Sequence, residues 1–188
     1  MSAPLRVAGW GTLDDGAAIT WTVAEGRRGR RWREVVARAD AVGHSLLLET
    51  GADGRFSHLE LARAGGLWTF HPEPDGTLHG NHVDPRERDV HHVVGMTFAP
   101  DDLLLIEGSP LSAAAIAWHM AASGAEGARA TAAGVVLRAS GELEAVAAIR
   151  VERLPGARWR IDGGEPFQID ADGIPVLAGG ETRPLELD

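Results

Sequence analysis

Apolar and polar residues alternate along this chain in short runs separated by turn residues, the period-two pattern of half-buried strands. Such runs span Ala17 to Val23, Trp32 to Ala39, Ser45 to Thr50, His58 to Arg63, Leu67 to His71, Thr77 to Val83 and Val90 to Phe98. Asp14-Asp15-Gly16, Gly51-Ala52-Asp53-Gly54, Ala64-Gly65-Gly66 and Pro72-Glu73-Pro74-Asp75-Gly76 lie between them. Glycine supplies positive φ in such turns, and Asp or Pro sets their first residues. Connections this short make neighbouring strands antiparallel. The pattern then changes period. Ser109 is placed as an N-cap with Pro110 at the first helical position, which predicts a helix to about Ala121. Leu111, Ala115, Trp118 and Ala122 form its apolar stripe and Gly124 ends it. Strands resume at Ala133 to Ala139, Leu143 to Arg153, Arg158 to Ile161 and Pro166 to Ile169, with weaker ones at Ile174 to Leu177 and Leu185 to Leu187.

Sliding the chain by 90 residues pairs Leu47 with Leu137, Gly51 with Gly141, Leu59 with Ile149, Leu61 with Val151, Arg63 with Arg153 and Gly66 with Gly156. One inserted residue then brings Trp68 to Trp159 and Phe70 to Ile161. Two readings stand: an internal duplication with halves at about 40–95 and 130–180, or coincidence between any two strand–turn–strand segments. Either way the expected fold is mainly β, an antiparallel curved sheet or open half-barrel in a single domain, residues 1–188. One main helix covers its concave side.

Composition narrows the chemistry. Glycine (24) and proline (10) are abundant beside 44% hydrophobic residues, which favours many turns in a folded domain over disorder. Cysteine is absent, so disulfides, thiolate catalysis and sulfur-ligated zinc are excluded. The 18 basic residues are all arginine, which excludes a Schiff-base lysine and a phosphate-loop lysine. A formal charge of −9 makes nucleic acid a poor partner. The N-terminus carries no secretory pattern and no run of about 20 apolar residues exists, so the expected location is the cytoplasm, with no transmembrane segment.

Five of the eight histidines fall at His71, His79, His82, His91 and His92, among Asp75, Asp84 and Asp89. Imidazole and carboxylate are the ligands left for a metal, and a metal-assisted enzyme built on His71 to His92 is one alternative. Alternation opposes it. On a strand from Thr77 to Val83, His79 and Asn81 face one way and His82 the other, unless Gly80 sits in a bulge, and His91 and His92 also diverge. No metal site is therefore expected. Asn81, the only asparagine, reads as turn chemistry or as a polar group aimed into a cavity. Arg27, Arg28, Arg30, Arg31 and Arg33 surround Trp32, either as a clamp for an anionic head group or as a solvated hairpin. No motif names a cofactor or a catalytic residue.

An early tryptophan strand (Ile19-Thr20-Trp21-Thr22-Val23) is followed by the Leu59 to Phe70 hairpin and by the Asp-Gly turn at Asp75 to Gly80. A Ser-Pro-Leu helix start at Ser109 and Ile169-Asp170-Ala171-Asp172-Gly173-Ile174-Pro175 come later. In this order the segments resemble the putative glycolipid-binding family, bacterial single domains whose open β-barrel is similar to that of periplasmic lipoprotein carriers. The family's central Thr-Asn-Thr-Leu-Pro-Ile stretch is represented only by Ser109 to Ile116, without its asparagine. The resemblance implies non-catalytic binding of a lipid-like or glycolipid-like, amphipathic small molecule in the concave face. The residues expected to line that site are Trp118, Leu111, Trp68, His79, Asn81 and Arg31. Small alanines along the helix stripe predict free space beneath it. The remaining alternative is a protein-interaction module whose core is filled by its own side chains.

Overall fold

The computed structural model describes residues 5–39, 41–87, 89–122 and 129–185. The fold is mainly β, with an antiparallel sheet, a curled half-barrel sheet and one helix. The first sheet is a meander of β1 (Arg6–Thr12), β2 (Ala18–Gly26), β3 (Gly29–Arg38), β4 (Ala41–Gly51), β5 (Phe56–Arg63), β6 (Gly66–Pro72), β7 (Thr77–Asp84) and β8 (Asp89–Thr97). The chain then enters the second sheet at β9 (Leu103–Ile106), crosses through α1 (Pro110–Ala122) and returns as β10 (Arg129–Leu137). The sheet continues through β11 (Leu143–Leu154), β12 (Arg158–Ile161), β13 (Phe167–Ile169) and β14 (Pro175–Val176). Finally β15 (Ala178–Pro184) crosses back and pairs with β1 at the edge of the first sheet.

Alternation explains the first sheet. Ile19, Trp21 and Val23 on β2, Trp32 and Val36 on β3, Leu46 and Leu48 on β4, Leu59 and Leu61 on β5, and Trp68 and Phe70 on β6 are all buried. Their neighbours point outward, the arrangement of an antiparallel sheet covered on one side. On β10, Val135, Val136 and Leu137 are buried consecutively, because this strand is covered on both faces. Its pairing with β9 is parallel, the crossover being α1. The helix lies against β3 on one side and β9, β13 and β14 on the other. Leu111, Ala114, Ala115, Ile116 and Ala117 are all buried, a helix apolar on most sides rather than one striped face. Alanine there lets both sheets approach the helix closely. No described helix is long and apolar enough to cross a membrane.

Three strands escaped the sequence pattern. In β1, Gly9 and Gly11 break the alternation; at Gly9 a side chain would overlap the Trp21 indole and the Glu181 carbonyl. In β9 only four residues precede the turn into the helix. All seven residues of β15 are exposed, so it has no buried face to advertise and is held by its ladder to β1. The weak strand expected at Ile174 to Leu177 shrinks to β14. Leu185 lies just beyond β15; the rest of Leu185 to Leu187, like Gly124, falls outside the described residues.

Both expected halves contain hairpins, β5–β6 and β11–β12, but in different registers. Leu61 faces Trp68 in the first, whereas Val151 faces Ile161 and Arg153 faces Trp159 in the second. Gly51 ends β4 without a positive φ, while its counterpart Gly141 has φ +97. The similarity is one of element order, and the two segments belong to different sheets.

Candidate functional site

Ser109 caps α1 as its position before Pro110 foretold: its Oγ accepts the Ser112 N–H at 3.0 Å. A second acceptor is long-range. Glu34 of β3, 1% exposed, takes the Leu111 N–H on Oε2 at 3.0 Å and pairs with His44 Nε2 through Oε1 at 2.7 Å. The carboxylate sits where the free N–H groups and positive dipole end of α1 favour negative charge. This anchor was invisible in sequence, because Glu34 alternates with Trp32 and Val36 on the inner face and only the tertiary register brings it to Leu111.

The far end of the helix is filled. The Trp118 ring stands 6.0 Å from that of Trp32, edge to face, and the Arg30 guanidinium lies 4.0 Å from its centroid. Arg30 is itself 6% exposed, bonded to Glu25 at 2.6 Å and to the Asp172 carbonyl. Gly173, at φ +78, closes the box: a Cβ there would stand 2.6 Å from Trp118. Leu111 is fully buried. The partly open pocket between α1 and the β4–β5 hairpin measures about 30 Å³, room for one water. The space expected beneath the helix is occupied by Trp118, Trp32 and the Arg30 stem.

The remaining expected residues separate onto two faces. Register places His79 opposite His71, and Asn81 opposite His92, whose Nδ1 meets Asn81 Oδ1 at 2.7 Å. Arg31 belongs to that outer face and pairs with Glu49 at 2.5 Å. On the inner face Trp68 stacks on His82 at 4.3 Å and 12°, His91 lies 5.9 Å further, and the Arg63 guanidinium covers Trp68 at 4.6 Å. The extra residue in this ladder belongs to β8, where Gly95 has φ +77, and not to Gly80, so His79 and His82 do diverge. Among the described residues, no three His, Asp or Glu groups converge on a metal position. The arginine cluster divides likewise: Arg27 and Arg28 form the β2–β3 turn, Arg30 points inward, and Arg31 and Arg33 point out. Asp75 is held below the usual carboxylate range by the Thr77 hydroxyl, and Asp84 by the Arg86 backbone N–H. Burial lowers the pKa of Arg63.

Open space lies instead at the start of α1. One groove of about 430 Å³ runs between the helix and strands β9, β10, β12 and β13, with Ile106, Val136, Ile161 and Phe167 among its walls. A second, of about 410 Å³, continues toward Leu13, Pro175 and Leu177. The two share Pro110, Ala113, Glu165 and Phe167. The trough is mixed: charged Asp14, Glu107, Arg138, Arg158, Asp162 and Glu165 stand among its apolar walls. Sequence reasoning missed it because its walls come from eight elements, from β1 to β15, that only the tertiary fold brings together. Compared with known proteins, the chain matches no family model, no curated protein and no solved structure.

Proposed function

We propose that this chain is a non-catalytic binding module for an amphipathic small molecule with a lipid-like or glycolipid-like apolar part, held in the trough at the start of α1. One observation carries the reading: two adjoining grooves of about 430 and 410 Å³ with apolar walls and charged edges, against about 30 Å³ beneath the helix. Each is in the range of small-molecule sites, and charged groups beside apolar walls suit a ligand with a polar head. At roughly 25 cal/mol per Å² of apolar surface removed from water, a docked acyl chain contributes several kcal/mol. Native mass spectrometry of freshly purified protein, then titration with palmitate and an alkyl glucoside, tests it. Retained or added ligand that raises Tm and is lost in Ala113→Phe supports the reading; no bound mass and no shift with either probe removes it. The filled core favours a second reading, a protein-docking module, which survives that negative result.

A further inference from the structure

The outer face of the first sheet carries an apolar row that the fold leaves uncovered. Successive ladder pairs align Trp10, Thr20, Val35, Ser45, Ala62, Leu67, Val83 and Val90 across β1 to β8. Trp10 is 50% exposed, Val35 38%, Leu67 40% and Val90 46%. Four of the seven large hydrophobics exposed among the described residues thus stand in one line, although alternation would place polar residues there. The row dips in the middle, where Ser45 and Ala62 floor a depression of about 330 Å³ between Val35 and Leu67.

We infer that this face is a self-association surface, and that a second copy covers it about a twofold axis running along β4. Such an axis lays β3 over the partner's β5, β2 over its β6 and β1 over its β7. Big residues then meet smaller ones: Val35 over Ala62, Leu67 over Thr20, and Trp10 over Val83. Charge agrees. In the adjacent row Arg33, Leu47 and Glu60 are successive ladder partners, so two strand spacings, about 9.6 Å, and the Leu47 side chain separate Arg33 from Glu60 within one chain. Arg33 has no ion-pair partner among the described residues, and Glu60 meets only His58, at 3.1 Å. The twofold axis sets each Arg33 over the other copy's Glu60, two identical pairs from one unsatisfied arginine, as an isologous contact requires. Strand directions in face-packed sheets stay within about 30° of each other, so the twofold is compatible with aligned packing. Six strand spacings by three rows give roughly 500 Å² per copy, below the ~800 Å² of standard stable complexes, which places the contact among weak, transient interfaces.

Sedimentation velocity from micromolar to millimolar protein tests the inference, with near-UV circular dichroism confirming that each variant is folded. Wild type is expected to dimerise. Leu67→Asp abolishes the dimer, and Arg33→Glu weakens it at least about tenfold by placing like charges together. The double reversal Arg33→Glu with Glu60→Arg recovers affinity, because the pair is rebuilt with its signs exchanged. A wild type that stays monomeric at millimolar concentration overturns the proposal. So does a dimer indifferent to Leu67→Asp and Arg33→Glu, or a double reversal no tighter than Arg33→Glu alone.

Discussion

Glu34 shows how one residue joins two elements. Removing its side chain leaves the Leu111 N–H and His44 without their partner in a dry environment, where an unmet donor costs more than a hydrogen bond is worth. Glu34→Ala is therefore expected to lower stability by about 3 kcal/mol, and Glu34→Gln, which keeps an acceptor and a donor in place, by clearly less. Urea unfolding with an unchanged m-value is the measurement. Gly173 is constrained twice, by a left-handed backbone and by the Trp118 ring 2.6 Å from where its Cβ would be. Gly173→Ala should cost about 2 kcal/mol and shift tryptophan emission as Trp118 is displaced.

At the scale of elements, the turns carry the pH dependence. Asp15, Asp75 and Asp84 each accept hydrogen bonds at a strand junction, and all three titrate below the ordinary carboxylate value. The Arg38 side chain dominates at Asp15, the Thr77 hydroxyl at Asp75 and the Arg86 backbone N–H at Asp84. A folded-state pKa below the unfolded one means that the unfolded chain binds protons first on acidification. The stabilisation is complete above the unfolded value, near pH 4, and is lost as pH falls through the folded values. Replacing all three by Asn should flatten the decline of Tm below about pH 4 and leave the pH 6 to 8 region level. Because Asp15 and Asp75 are exposed and Asp84 is only half-buried, solvent screens these contacts and the change is modest. Ser109→Ala, which removes the cap of α1, is expected to cost about 1 kcal/mol by thermal unfolding.

For the whole molecule, the question is where space remains once two sheets have closed on a helix. Trp118 packs against Arg30, Trp32 and Gly173, so Trp118→Ala should destabilise the fold by about 3 kcal/mol, read by urea unfolding. Ligand affinity in the trough should hold. Ala113→Phe should do the reverse, filling the trough while Tm without ligand changes little. Measured side by side, the two variants separate a ligand beneath the helix from one at its start, because binding to the native state raises Tm only where the site is intact.

Alternation, turn residues and the Ser109-Pro110 signal are local, and they were enough to determine the class of fold, eleven strands near their observed places and the start of the helix. They also determined that His79 and His82 diverge, since direction along a strand depends only on parity. Register is not local. Whether His82 meets His91, Asn81 meets His92 or Arg33 is separated from Glu60 depends on which strand lies beside which. One residue of slip would exchange every face. The parallel β9–β10 pair, the return of β15 to β1 and the reach of Glu34 to Leu111 were decided by how two sheets close around α1. The same closure decided where space remains. A run of alanines predicts room when only the helix is considered, yet small side chains admit neighbours as readily as ligands, and here Trp32 and the Arg30 stem came in beside Trp118.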